Sequence, residues 1–437
     1  MAAVQGPRHA FVAVFASILS LGVTSSIALA EEKPAPLTQT TPTTPTPPTP
    51  PTTPPARASH DDALDRRRDE GTSDKKEKTK DHWYDHLNLR GYTQIRYNRI
   101  GATNPDLKND QGDKSMGDPG GLFLRRARLV LHGDVGRHVA IYLQPDFASA
   151  LDGTLNFGQM RDWYSDIFLD KDRMFRFRVG QQKVPYGWEL MQSSSNRLPF
   201  DRSDGLNSAF VNERDLGGFF MFETPEVRKR FKYLVDSGLK GSGDFGMTAV
   251  GITNGQPVNT REKNDNKHFF ARVTYPFEIG SQIVEIGGGG YTGRYVPSKA
   301  EGVLGANEFA DYRVHGTFVL YPQPFGVQVE YNVGYGPELV GNTIEKQPLD
   351  GGYAMVMWRQ KTDVGNFTPY FRVHRYDGGK KFEQNAPRHQ VRELNAGVEW
   401  QINKWLEVTT ELMASDRTVN GKQQEGRLLR LQLQINY

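Results

Sequence analysis

The nine residues from Leu429 to Tyr437 alternate without a fault. One face carries Leu429, Leu431, Leu433, Ile435 and Tyr437; the other carries Arg430, Gln432, Gln434 and Asn436. Side chains on a β-strand point to opposite faces in turn, so this is a strand with one apolar and one polar face. It runs to the final aromatic residue. In a soluble domain such a tail would leave an edge open to association. A sheet closed on itself has no edge. In a bilayer it must be closed, because lipid offers no hydrogen bonds to a free strand. The ending therefore predicts an all-β fold, a transmembrane antiparallel β-barrel.

Composition agrees with a barrel and excludes other classes. The chain is 37% hydrophobic with a mean hydropathy of -0.61, far too polar for a bundle of membrane helices. A barrel needs only every second strand residue to be apolar. Forty-five Gly, 18 Tyr and 24 Phe suit many turns and aromatic girdles. With no Cys there is no disulfide framework and no thiolate metal site. A net charge of +3 is small for a nucleic-acid binder, and no nucleic-acid partner is expected.

The N-terminus reads as a secretion signal, residues 1–30. Arg8 and His9 precede the apolar run Ala10 to Val23, and Ala28-Leu29-Ala30 fits cleavage before Glu31. The run is too short and too rich in Ala and Ser to span a bilayer. Residues 34–55 hold 10 Pro and 9 Thr among 22, an extended spacer with nothing to bury. Residues 56–82 are densely charged. Residues 31–82 are therefore expected to form a disordered periplasmic extension. Contact with a periplasmic partner or the cell wall is the sharper alternative. The run Asp81 to His86 contains metal-type ligands, but without a second cluster it reads as strand-entry and interface chemistry.

From residue 83 to 437 the texture is that of the terminal strand. Leu87, Leu89, Gly91, Thr93, Ile95 and Tyr97 alternate with Asn88, Arg90, Tyr92, Gln94, Arg96 and Asn98. Phe175, Phe177 and Val179 alternate with Arg176 and Arg178, and Val327 to Tyr335 alternate with Gln328, Glu330 and Asn332. There are about seventeen such runs, and single-chain bacterial barrels have even strand numbers. Dropping the weakest, Phe231 to Leu239, leaves about 16 strands at about 22 residues per strand and connection. Long loops are expected at 100–121, 183–214, 255–266, 294–310, 336–350 and 377–390, and short turns at 133–137 and 170–173. The closing strand is expected to pair with the one that begins near Leu87.

The polar faces carry Arg90, Arg96, Arg126, Arg128, Arg176, Arg178, Arg272, Arg313, Arg372 and Arg430. An Arg facing lipid at mid-bilayer would cost roughly 2–4 kcal/mol, so these must face the lumen or the interfaces. Fixed cations concentrate anions, and a guanidinium grips an oxyanion bidentately. The opposing possibility is a net-neutral lumen, with these Arg paired to Asp146, Glu330, Glu393, Glu399 and Glu411. After Arg178 comes Val-Gly-Gln-Gln, then Lys183-Val184-Pro185-Tyr186-Gly187, which breaks the strand. The long polar loop that follows can fold into the lumen and set its narrowest point, with Lys183 at its base and Arg197 and Arg202 along it. An ordinary external loop is the alternative for the last two.

Four segments resemble a known family. They are Phe123 to Leu129, Arg176 to Gly187, Glu213-Arg214-Asp215-Leu216-Gly217, and Val250-Gly251-Ile252-Thr253-Asn254-Gly255. Their order and spacing are similar to the phosphate-selective porins of the O and P type, over roughly 85–437. The resemblance implies a sixteen-stranded outer-membrane barrel, a homotrimer, and passage of small anions such as phosphate through an arginine ladder and a lysine ring. The stretch Gln192 to Phe210 contains no Lys, so the lysine ring is not supported.

The resulting expectation is a passive channel in the outer membrane of a Gram-negative-type bacterium. It has no chemical step, no cofactor and no metal, and is surrounded by outer-membrane lipid. The pore-lining candidates are Arg126, Arg128, Arg176, Arg178, Lys183, Arg90, Arg96 and Arg372. Alternatives are a general or sugar-passing porin, a closed structural barrel tethering envelope layers, and a barrel hydrolase. The last lacks a nucleophile motif, and His132, His315 and His374 fall on the arginine-bearing faces.

Overall fold

A computed structural model describes residues 82–108, 120–151 and 154–437. The expected signal and nearly all of the extension lie outside these residues. A single 3-10 turn, Trp83–His86, leads into the barrel. The strands are β1 (Leu87–Ile100), β2 (Gly121–Gly136), β3 (Val139–Leu151), β4 (Thr154–Phe168), β5 (Phe175–Lys183), β6 (Arg214–Phe222), β7 (Thr248–Thr253) and β8 (His268–Ile279). Then follow β9 (Gln282–Tyr295), β10 (Phe309–Leu320), β11 (Phe325–Val340), β12 (Thr343–Trp358), β13 (Gln360–Thr362), β14 (Gly365–Gly379), β15 (Arg388–Gln401), β16 (Leu406–Val419) and β17 (Lys422–Asn436). The short β13 continues β12 beyond Arg359, and both pair with β14. Seventeen segments thus build a sixteen-strand antiparallel barrel.

Closure is made by the terminal strand. β17 pairs with β1 from Tyr92 opposite Asn436 to Tyr97 opposite Leu431. The Tyr437 N–H donates to the Gly91 carbonyl at 3.0 Å, and the Gly91 N–H donates back at 2.5 Å. A Cβ on Gly91 would overlap the Tyr437 ring and come within 2.5 Å of the Arg128 carbonyl oxygen. The ring therefore lies over the glycine, and the C-terminus is stitched into the seam.

Burial is inverted relative to a soluble protein. In β5, Phe175, Phe177 and Val179 are exposed while Arg176 and Arg178 are buried. Leu122, Val273, Val314 and Leu412 likewise point outward. This is the face that lipid covers, and the polar groups satisfy one another inside. Aromatic residues mark the rim that carries the C-terminus: Phe175 opens β5, Phe325 opens β11, Trp358 ends β12, and Phe367 stacks on Trp400 at 5.5 Å. No helix among the described residues is long and apolar enough to cross a membrane.

Turns on the terminal rim are short, as on the periplasmic side of such barrels: 137–138, 280–281, 321–324, 363–364 and 402–405. The opposite rim carries the longer loops 184–213, 254–267, 296–308 and 380–387. Two expectations need correction. Residues 336–350 are not a loop: β11 and β12 extend through them to a two-residue turn at Gly341–Asn342. Register there is set by continuous pairing, which outweighs the Gly and Pro content. The terminal rim also has a long connection, 223–247, containing a helix, Pro225–Asp236. Thr224 caps it by accepting from the Val227 N–H at 3.4 Å, and Pro225 sits in its first turn. Its buried face, Val227, Phe231 and Leu234, packs on Ile283, Val319, Tyr321 and Trp188.

A guanidinium-lined lumen crossed by an inward loop

The connection 184–213 does not project from the barrel. Tyr186, Trp188, Leu190, Leu206 and Phe210 are all 0–1% exposed. Gly187 turns the chain inward at φ 72°, where a Cβ would sit 3.0 Å from a Glu330 oxygen. Glu330 then accepts the N–H of Trp188 at 2.5 Å and of Glu189 at 3.0 Å. Further along, Ser203 donates through both N–H and Oγ to Glu189, and the Phe200 N–H donates to Glu411 on β16 at 3.2 Å. Arg313 on β10 donates to Ser208 Oγ at 2.7 Å. Asp204 meets Arg417 on β16 at 3.0 Å and Lys380 at 2.8 Å. The loop therefore touches the wall on several sides and crosses the lumen. Arg197 and Arg202 are buried within it rather than on an outer surface.

The wall arginines stand on the polar face as expected, but most are ion-paired. Arg178 grips Asp166 bidentately at 2.6 and 2.8 Å and lies over the Tyr164 ring at 4.2 Å. Arg128 meets Asp146 at 2.7 Å and Tyr92 Oη at 2.9 Å. Arg176 holds Asp244 at 2.5 and 2.8 Å. Arg372 donates to Glu189 at 2.9 Å and to Asn395. Arg90 is exposed near the terminal rim, away from the packed centre. Lys183 is half-buried and donates to the carbonyls of Met191 and Gln192 at 2.7 and 2.9 Å, so it fastens the base of the inward loop. Across the described barrel, buried Arg and Lys are matched nearly one for one by buried Asp and Glu.

The balance fails on one side of the lumen, where β17, β1 and β2 face the loop. Arg96, Arg125 and Arg430 converge on one carboxylate, Asp201, at 3.3, 3.7 and 2.6 Å. Arg430 also pairs with Glu411. Arg126 finds only an amide oxygen, Gln94 Oε1, at 2.6 Å, and its Nε has no partner among the described residues. Arg197 donates to the carbonyls of Pro199 and Phe200 at 2.9 and 2.7 Å, and its Nη1 is likewise without a partner there. Arg96, Arg125 and Arg430 thus draw on Asp201, and Arg430 on Glu411 as well, while Arg126 and Arg197 donate to neutral oxygens.

Arg125 escapes a reading by alternation. In strict register it would face lipid beside Arg126. Instead the β1–β2 ladder skips it: Gln94 lies opposite Arg126 and Ile95 opposite Leu124. This bulge turns two consecutive arginines to the lumen and shifts the phase, so that Phe123 is buried and Leu122 is exposed. The signal was present in the sequence: a charge out of phase in Arg125-Arg126-Ala127-Arg128. Asp201 had no sequence signal, because only the folded loop brings it to the wall.

At the terminal rim, burial and the neighbouring Asp244 push the Glu223 carboxyl up to about 7, while Arg176 holds Asp244 below the usual carboxylate range.

The family model for phosphate-selective porin O and P matches residues 95–437. Among solved structures, the outer membrane channel DcaP of Acinetobacter baumannii is 15% identical, with 80% of this chain and 97% of that chain covered, at a TM-score of 0.51. Salmonella typhi OmpF, solved in complex with daunomycin, is 11% identical with the same coverage, at a TM-score of 0.52. These likenesses concern the barrel fold. No curated protein matches.

Proposed function

The chain belongs to the phosphate-selective porin O and P family, and from that premise we propose that it passes small hydrophilic anions, phosphate-like oxyanions among them. It is an outer-membrane porin, and its work is diffusion through a water-filled lumen. The observation that carries the anion preference is the pair Arg126 and Arg197, buried guanidiniums that donate to neutral oxygens. An anion drawn there meets donors already pointed and already short of acceptors. Arg128, Arg176, Arg178 and Arg372 contribute through ion pairs that screen them, so they shape the lumen more than they charge it. Lys183 acts by holding the loop, and Arg90 by its charge at the mouth.

The near-balance of buried charges supports a second reading, a general porin that passes neutral sugars as readily as anions. Reversal potentials across planar bilayers in a chloride gradient, and then a phosphate gradient, separate the two. Anion preference is expected; a potential near zero favours the general porin, and cation preference overturns the first reading. In the same proposal residues 1–30 are removed near Ala30, residues 31–82 extend into the periplasm, and three copies assemble. N-terminal sequencing of the mature chain and the mass of the detergent-solubilised complex test these points.

A further inference from the structure

The inward loop is not the only segment inside the barrel. The helix Pro225–Asp236 ends in a Schellman turn: the Gly238 N–H donates to the Val235 carbonyl at 3.0 Å and the Leu239 N–H to the Leu234 carbonyl at 3.1 Å. Gly238 takes φ 67° to close it, and Leu239 returns to the apolar cluster with Leu234 and Trp188. The chain then enters the lumen from the terminal rim. Lys240 is 5% exposed and pairs with Glu399 on β15. Its carbonyl accepts from Gln192 Nε2 at 2.7 Å, and the Gly241 carbonyl accepts from Asn196 Nδ2 at 2.7 Å. Segments from opposite rims therefore meet inside the barrel. Beside the junction lies a cavity of about 350 Å³, lined by Ser195, Asn196, Lys240, Arg359 and Glu407 among others.

The two segments are held unequally. The inward loop is held to the wall through Glu189, Asp201 and Asp204, each charge-paired, and through Glu330. Among the described residues, Lys240 to Gly243 is held by one ion pair and three hydrogen bonds, the third from the Gly241 N–H to the Leu234 carbonyl at 3.4 Å. It is flanked by two anchors, Leu239 in the apolar cluster and Asp244 on Arg176. Two of its four residues are glycines, and Gly243 takes φ 99°. Lys240 sits at φ 67°, a region in which a side chain with a Cβ is strained. Lys240 is thus docked in a backbone conformation that carries strain.

We propose that the strap Lys240–Gly243 and the loop tip Ser195–Asn196 form a second constriction at the periplasmic end of the lumen, gated by release of Lys240 from Glu399. Docked on Glu399, the strap narrows the lumen, and Lys240 is the charged group a solute meets as it passes. The proposal rests on the channel reading above but not on its anion preference.

The chain has no Cys, which gives a clean background for a test. In Lys240→Cys/Glu399→Cys, a short bis-methanethiosulfonate linker should cut single-channel conductance several-fold, and reduction should restore it. In Lys240→Cys alone, a cationic and an anionic methanethiosulfonate reagent should shift the reversal potential in opposite directions. Glu399→Gln leaves the strap sequence intact and should lengthen open times in case the cysteine variants fold poorly. Folding is checked by heat-modifiable gel mobility. Unchanged conductance in a fully cross-linked, folded barrel overturns the gate. Silence of the unsubstituted protein in every condition overturns the channel reading instead.

Discussion

Replacing Arg126 with Gln keeps a polar side chain beside Gln94 and removes one positive charge that no carboxylate offsets. For an ion passing at about 5 Å, one unit charge is worth about 0.8 kcal/mol at the dielectric constant of water, and more where the wall excludes water. That is about a fourfold fall in local anion occupancy and a matching rise for cations, so the anion-to-cation ratio should drop by about an order of magnitude. The assay is the reversal potential across a planar bilayer in a tenfold gradient centred near 0.1 M salt. There the Debye length is about 10 Å and the charge is still felt; near 1 M it is about 3 Å and the effect should fade. The paired site supplies the control. Arg178→Gln/Asp166→Asn removes a bidentate pair without changing the net charge, and should leave the ratio near its starting value. A reversal potential unchanged in Arg126→Gln at low salt, in a folded barrel, refutes the reasoning.

Three further outcomes are expected. Arg125→Ala should lower anion preference in the same sense as Arg126→Gln and should not stabilise the barrel; were Arg125 facing lipid, its removal would stabilise by roughly 2–4 kcal/mol, which guanidinium unfolding in micelles can resolve. Gly91→Val should push the Tyr437 ring off the seam and cost about 1–3 kcal/mol as overpacking, measured the same way. The fold raises the Glu223 carboxyl from an unfolded value of about 4.3, so its contribution to stability is present below that pH and is lost as pH rises through about 7; Glu223→Gln should flatten that dependence between pH 5 and 8.

Barrel class, strand number and the closing pair were legible because period-2 alternation is a local property of each strand, and lipid enforces it along the whole wall. Where alternation is broken on purpose, the pattern misleads. The bulge at Arg125 hides a lumenal arginine at a lipid-facing position. Phe231 to Leu239, discarded as a weak strand, is the end of a helix and its cap. Its signals were Thr224-Pro225 at the start and an apolar spacing of four and three at Val227, Phe231 and Leu234. The Arg-to-carboxylate pairing was legible only in part. Asp146 and Glu411 were placed on the wall with Arg128 and Arg430 by alternation alone. Asp201, Asp204 and Glu189 lie on a loop whose path into the lumen no periodicity encodes, so their partners emerge only from the folded chain.

The inverted burial of this barrel sets how the chain can drift. Lipid tails are as apolar as leucine, so an outward Leu412 or Val314 can become another greasy residue and the bilayer closes around the change. Inside, removing one member of a buried ion pair strands a charge, at a cost of about 3–5 kcal/mol, whereas exchanging both together can be neutral. The outer face should therefore wander freely within one chemical class, while Arg178 with Asp166, Arg128 with Asp146 and Arg372 with Glu189 change as couples or not at all. Among related chains, these positions should appear as correlated columns rather than invariant ones. Arg96 should be the exception, because Asp201 keeps Arg430 when it is lost.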